Sequence, residues 1–350
     1  MRVALITDKF EFGGGLEHIF QICRGLPDIH FGVFGKSGNA IKKFSALPNV
    51  EVFSNGYTNS YVNSFNPDLL HIHHLKPLIA LRRARHRKIF TVHGVHIRKF
   101  QFRGGLLALI QMKIRIELEK IMFRFLYAVI VVSKADQELL RLTYGLKNSI
   151  LIYNGVDIKA IRSKDVPKNL IRNELGLNQT HRIFLTVARF DFPKGHTILL
   201  SAISHLAKET DLSKTTFVLV GGGELFLEIK ALARTLGIDQ HILFTGARHD
   251  AIRFMQSADA FILPSRYEGL PLTLLEALAC RLPIIASFTS GITELAEKFP
   301  NGIALFKNGD PEDLKNQILK LRPWKDGGDM MKFDTMAMAS DLKVVYENIK

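Results

Sequence analysis

The sequence predicts an α/β chain built from two doubly wound parallel-sheet domains in tandem, and three observations carry that expectation. Short Val/Ile-rich runs alternate with helical spacing along most of the 350 residues. Such runs suit strands buried on both faces by helices, because a strand with one wet face alternates apolar and polar residues. The alternation stops in a polar, strand-poor segment, 157–177, and then restarts. The length also exceeds what one hydrophobic core ordinarily organises. A first domain over 1–158 and a second over 159–334 are expected, with a cleft between them.

Residues 3–7 (Val-Ala-Leu-Ile-Thr) form the first expected strand, Gly13-Gly14-Gly15 the loop after it, and 16–26 have helical spacing. Further strands are expected at 69–73, 88–93 and 128–132, then at 182–187, 216–220, 241–244, 260–263 and 283–286. Helical patterns fill 198–209, 225–236 and 271–279. Ligands of doubly wound sheets bind beyond the carboxyl ends of the strands. Gly14, His73, His93, Arg189, Gly221 and Glu268 all lie just after expected strands, so a single site is expected rather than a scatter.

Composition narrows the class. Hydrophobic residues make up 47% and charged residues 23%, ordinary for a globular protein. Two cysteines, Cys23 and Cys280, cannot make a disulfide framework, so a reducing compartment is expected. The apolar start reaches Asp8 at once, unlike a secretory leader. No apolar run reaches the roughly 18 residues of a membrane span. The expected place is the cytoplasm, with association at the inner face of the membrane considered below. The net charge is +14, and residues 1–158 hold 22 Lys/Arg against 11 Asp/Glu. The stretch 76–103 has nine Lys/Arg and no acid. That field favours an anionic partner.

The strongest motif is Pro264-Ser265-Arg266-Tyr267-Glu268-Gly269-Leu270-Pro271, followed by a helix that contains Glu276. A helix starting after a tight turn offers free N–H groups to a phosphate. Glu268 and Glu276 are too far apart in sequence to touch one atom and suit different hydroxyl groups. In Arg189-Phe190-Asp191-Phe192-Pro193-Lys194-Gly195, two cations converge on a strand-end loop, as a diphosphate requires. Gly221-Gly222-Gly223 lacks the G-x-G-x-x-G spacing of dinucleotide binding and fits either a ligand-facing turn or a structural one. His71, His73 and His74 crowd one strand end, and His93 and His96 another. They lack the H-E-x-x-H pattern and carboxylates of a zinc site, so no metal is expected. No Asp-x-Asp is present to hold a donor through Mg²⁺ or Mn²⁺, which leaves the charge to Arg189 and Lys194. A P-loop and a G-x-S-x-G elbow are absent as well.

These residues resemble the family 4 retaining glycosyltransferases, whose two Rossmann-like domains make the GT-B fold. The resemblance runs through Gly14-Gly15, Asp68-Leu69-Leu70-His71-Ile72-His73, Thr91-Val92-His93-Gly94, Asn154-Gly155-Val156-Asp157, Arg189 with Lys194-Gly195, and the pair Glu268 and Glu276. It departs at Tyr153, at Cys280-Arg281 and at Ser290-Gly291. It implies that Arg189 and Lys194 bind the donor diphosphate, Glu276 the ribose and Glu268 the sugar. The backbone after Gly269, through Leu270, Leu272 and Thr273, would meet the phosphates. His93 would contact the sugar, with Gly14, Gly15, His73 and Gly221 among the substrate-binding positions. No cofactor is implied beyond the nucleotide sugar, which is a co-substrate. The resemblance also implies a C-terminal helix, 335–350, that packs back on the first domain. A catalytically silent carbohydrate- or lipid-binding protein and a nucleotide-sugar epimerase are the competing readings.

With donor motifs in the second half, the first half is expected to bind the acceptor, a glycan or glycolipid. Between 106 and 126, Leu106, Ile110, Ile114, Leu118, Ile121 and Phe125 recur at helical spacing with Lys113, Arg115, Lys120 and Arg124 among them. This helix suits either an anionic membrane surface or its own sheet. Nucleic acid is not an expected partner, since no binding module accompanies the basic run.

Overall fold

The computed structural model describes residues 1–95, 97, 102, 105–163, 167–325 and 328–349. It divides into one unit of Met1–Asp157 with Met331–Lys350 and a second of Ile158–Met330. His96, Arg98, Lys99, Phe100 and Arg103, which the sequence placed in or beside the basic run, lie outside the described residues.

The first unit holds strands β1 (Arg2–Lys9), β2 (His30–Lys36), β3 (Val50–Phe53), β4 (Leu69–Ile72), β5 (Arg87–Val92), β6 (Ala128–Val131) and β7 (Ile150–Leu151). They form one parallel sheet in the order β3-β2-β1-β4-β5-β6-β7. Val3 to Ile6 are fully buried because β1 is central and covered on both faces. Three of these strands escaped the sequence reading for physical reasons. Gly32 and Gly35 interrupt the apolar run of β2, β3 is a four-residue edge strand, and β7 has two residues.

The Thr335–Glu347 helix belongs to this unit. Met338, Leu342, Val345 and Tyr346 join the core that holds Ile19, Ile22 and Cys23 of the Gly14–Gly25 helix. Asp334 caps the helix by accepting from Met336 N at 2.8 Å. Met336 itself is 62% exposed and adds nothing to the core.

The second unit repeats the plan with β8 (Arg182–Val187), β9 (Thr215–Val220), β10 (Ile242–Gly246), β11 (Ala260–Leu263), β12 (Ile284–Ser287) and β13 (Ile303–Phe306). Their order is β10-β9-β8-β11-β12-β13, again parallel. Within the polar, strand-poor segment where the strand pattern stops, Ile158–Arg162 and Lys168–Glu174 are helices of this unit. The segment's polarity comes partly from Arg172, buried with its charge satisfied. Arg172 donates to Asp259 Oδ2 at 2.7 Å and to Ser257 O at 3.0 Å. Both sheets reverse direction between their first and fourth strands, at β1/β4 and at β8/β11. Those are the switch points where such sheets open a crevice for ligands.

Candidate functional site

In the second unit the predicted charged residues gather at the switch point. Arg189 follows β8, and Lys194 ends a 3₁₀ turn, Phe192–Lys194. Gly195 then adopts φ 66°, and a Cβ there would lie 2.0 Å from Pro264 O. Only glycine lets this loop sit against the end of β11. That seating brings the Lys194 ammonium to Glu268, to which it donates at 2.7 Å. Ser265, fully buried, donates to the same Glu268 Oε1 at 2.7 Å. The Glu268 side chain is only 9% exposed, so its carboxylate stands in the low-dielectric end of the crevice where such bonds are strong.

Arg189 is held more loosely, its Nε 3.5 Å from Asp191 Oδ2, with a side chain 55% exposed. Burial raises the Asp191 carboxyl above its usual range, and Glu268 and Glu224 push the same way against Arg189 and Lys194. The site therefore holds two cations, each resting on a carboxylate. The sequence reading named the cations and Glu268 but not Ser265 or Asp191, although both lie inside the motifs it quoted.

The Leu272–Ala279 helix starts after Pro271, with its first intrahelical bond from Leu274 N to Pro271 O. The N–H groups of Leu272 and Thr273 precede that bond and point out of the helix end. Leu270 and Leu272 bury their side chains, so any ligand contact they make is through the backbone. Thr273 and Glu276 are half-buried on the otherwise buried helix, three residues apart and so on one face. Gly269 carries the turn. A Cβ on Gly291, in the Ser290–Lys298 helix, would lie 1.3 Å from Gly269 O. The glycine that this close approach demands is kept at 291, and Ser290 stands beside it. Gly221 follows β9 and donates to Gly246 O at 2.9 Å, with no space for a side chain against Ala188 O.

In the first unit, Gly14 and Gly15 open the Gly14–Gly25 helix. A Cβ on Gly15 would stand 3.7 Å from His74 Nε2 and from His93 Cδ2, so the glycine loop lies beside both rings. His93 Nε2 meets His73 Nδ1 at 3.0 Å. His73 is buried, and desolvation with its histidine neighbours lowers its pKa well below the usual value. The bond between the two rings holds His93 in place and fixes the face it presents. His71 is structural, bonded at 2.6 Å to the Tyr346 hydroxyl and at 2.7 Å to Thr91 Oγ1. His18, which the sequence reading did not single out, stands edge-on to His93 with ring centroids 4.8 Å apart. It comes from a helix remote in sequence, so no local spacing pointed to it.

The Gly105–Phe123 helix packs Ala108, Met112, Ile116 and Met122 inward. Buried Glu119 accepts from Arg115 Nε at 2.5 Å and from the Tyr144 hydroxyl at 2.6 Å. Leu106 (74%), Leu107, Leu109, Ile110, Ile114 (64%) and Ile121 are exposed. The stripe read from the sequence points outward, except for half-buried Leu118. No helix among the described residues is long and apolar enough to cross a membrane.

Two families match. Glycosyl transferases group 1 aligns with residues 167–323 and Glycosyltransferase Family 4 with residues 47–160. The chain is 27% identical over 195 residues to N-acetyl-alpha-D-glucosaminyl L-malate synthase of Bacillus anthracis, covering 55% of this chain and 50% of the relative. It is 28% identical over 172 residues to the UDP-Gal:alpha-D-GlcNAc-diphosphoundecaprenol alpha-1,3-galactosyltransferase of Escherichia coli, covering 49% and 44%. The chain spans about half the length of these curated relatives. Among solved structures, sucrose-phosphate synthase from Thermosynechococcus elongatus matches with a TM-score of 0.81 at 20% identity, over 99% of this chain and 98% of that one. Anabaena HepE in complex with UDP-glucose matches with a TM-score of 0.79 at 22% identity, over 99% and 100%. This likeness shows the fold, which is GT-B.

Proposed function

Because the chain belongs to the group 1, family 4 glycosyltransferases, we propose that it moves a sugar from a nucleotide-diphosphate sugar to an acceptor hydroxyl with retention of configuration. The observation that carries this reading is the linked trio Lys194, Glu268 and Ser265, joined at 2.7 Å at the head of the Leu272–Ala279 helix. A donor diphosphate offers Lys194 and Arg189 a stronger anion than the carboxylates they now rest on. Charge grows on the leaving diphosphate during transfer, and fixed cations and helix N–H groups aimed there lower the barrier. Releasing Lys194 leaves Glu268, still bonded to Ser265, to orient the sugar. Glu276 takes the ribose hydroxyls from the same helix. His93, steadied by His73, hydrogen-bonds the sugar. The acceptor attacks from the face the leaving group departs, with a donor phosphate oxygen helping to take its proton.

The acceptor is a cell-envelope glycan or lipid-linked saccharide, met at the inner face of the cytoplasmic membrane, and the donor a UDP- or GDP-sugar. The exposed apolar stripe of the Gly105–Phe123 helix, flanked by Lys113, Lys120 and Arg124, supports this side of the reading. The Escherichia coli relative, whose name specifies a diphosphoundecaprenol acceptor, points the same way.

A thermal-shift panel of UDP, GDP, ADP and their sugars tests the donor site, since a ligand that binds only the folded chain raises its melting point. One nucleotide is expected to stand out. Lys194→Ala and Glu276→Ala are each expected to cut turnover by about a hundredfold or more while the fold is kept. Normal turnover in both variants would sink the donor-site assignment. Binding without any transfer to acceptor would favour the silent protein, and product released as an isomeric nucleotide sugar would favour the epimerase.

A further inference from the structure

We propose that a cavity at the amino ends of the strands of the second sheet binds an anionic saccharide, a sugar ring that carries a phosphate or a carboxylate. The cavity, of about 540 Å³, lies where β8, β11 and β12 begin, and Arg182, Asp259, Arg322 and Trp324 are among its walls. Sites for small molecules span roughly 300–1,000 Å³. Arg182 opens β8, and Arg189 follows the other end of the same strand. At about 3.3 Å per residue, roughly 20 Å separate this cavity from the residues proposed to bind the donor. All of its walls belong to the second unit.

Charge and polarity select the ligand. Arg182 and Arg322 are exposed, and among the described residues neither is paired with a carboxylate. Asp259 does not neutralise them, because its oxygens accept from Lys168 Nζ, from Arg172 at 2.7 Å and from Ile183 N at 2.7 Å. Arg172 is occupied too, by Ser257 O, Gln179 O and His181 O. The two guanidinium groups of the rim therefore keep their donors for an anion. Gln179 and Thr180 line the cavity with the opposite polarity. Gln179 Nε2 uses both hydrogens, on Asn169 O at 3.0 Å and Asn173 Oδ1 at 2.6 Å, and Thr180 Oγ1 donates to Asn178 Oδ1 at 2.9 Å. Their side-chain oxygens remain as acceptors, which suits hydroxyl groups. Trp324 adds an aromatic wall. A Cβ on Gly302 would lie 2.3 Å from Trp324 Cζ3, so only glycine at 302 leaves room for the indole. A sugar ring matches all three features, with its C–H face on the indole, its hydroxyls on the acceptors and its acid on the arginines.

The chain has one tryptophan, so the fluorescence of Trp324 reports this cavity directly. The full chain is titrated with glucose 6-phosphate, with a glucuronate-containing tetrasaccharide, and with glucose, inorganic phosphate and AMP. A saturable change is expected with at least one of the two anionic saccharides. Response to the sugar phosphate alone makes the ligand a free metabolite, and response to the tetrasaccharide alone makes it an acidic unit of a glycan; either upholds the site. Glucose and inorganic phosphate are each expected to bind at least tenfold more weakly. Arg182→Gln and Arg322→Gln are each expected to weaken binding at least tenfold with the melting point kept, since both side chains are exposed. Should Arg182→Gln disturb β8, Arg322→Gln decides alone. Lys194→Ala is expected to respond like the parent, which separates this cavity from the residues proposed to bind the donor. The proposal is overturned by no saturable change with either anionic saccharide, by tighter binding of AMP, by unchanged binding in Arg322→Gln, or by loss of the response in Lys194→Ala.

Discussion

At the scale of single residues, the cluster proposed to bind the donor was legible because its residues lie in two short motifs. Lys194 with Gly195, and Glu268 with Gly269, are each fixed by a local turn, so spacing alone predicts their placement. Ser265 and Asp191 sit in the same motifs but read as ordinary polar residues until burial is known. His196 is a further case. It follows Gly195 and stacks on Phe190 with ring centroids 4.0 Å apart, both its nitrogens lacking partners. Desolvation, aided by Lys194, lowers its pKa to about 4, against about 6.5 unfolded. Between those values the unfolded chain binds a proton that the folded one refuses. Stability therefore falls as pH drops through this window, by at most about 1.4 kcal/mol per pH unit from this ring. The effect is absent above the unfolded value. Trp324 is the sole tryptophan and lies in the second unit, so its fluorescence follows that unit's unfolding. Urea midpoints at pH 7 and pH 5 are expected to differ less in His196→Phe than in the parent, and an equal difference would discard this account.

At the scale of elements, periodicity reveals a helical face but does not say which way it turns. The Gly105–Phe123 helix is apolar on both sides, and its sequence fits packing inward or outward equally well. The buried Arg115, Glu119 and Tyr144 group decides the matter, since an ion pair bonded to a tyrosine on another helix can point only one way. The basic run shows the same limit. Lys88 is buried with its ammonium on Ala84 O at 2.5 Å and His86 O at 3.1 Å, and Arg87 bonds Ile349 O. Two of the nine cations counted in the sequence thus brace the fold and are not offered to a partner. The outward face makes a prediction of its own. The chain is expected to sediment with anionic vesicles and less with neutral ones. Inserting one Ile side chain is worth about 1.5–3 kcal/mol, so Ile114→Glu is expected to weaken that binding at least tenfold. Its melting point is expected to hold, because the side chain is 64% exposed. Failure to bind either kind of vesicle, or unchanged binding by Ile114→Glu, would remove the membrane from the proposed function.

At the scale of the whole molecule, the restart of the strand pattern made the two sheets readable. The sequence did not reveal that each runs in the same order about its switch point, because strand order depends on which edges pair. The chain end has its own consequence. The Tyr346 hydroxyl satisfies His71 Nδ1 inside the first unit, and Arg189, Lys194, Glu268 and Glu276 all lie in the second. Tyr346→Phe leaves a buried nitrogen unpaired, a loss of about 1–3 kcal/mol, and that loss falls on the sheet packed under the Thr335–Glu347 helix. Each unit has its own sheet and core, so local stability is expected to respond separately. Hydrogen exchange on the full chain reads both at once. In Tyr346→Phe, amides of β1, β4 and the Thr335–Glu347 helix are expected to exchange faster. The nucleotide singled out by the thermal-shift panel is still expected to slow exchange at 189–195 and 264–276. Loss of that protection in Tyr346→Phe would mean that the residues proposed to bind the donor nucleotide depend on the C-terminal helix, and the proposed assignment of the nucleotide to the second unit would have to be given up.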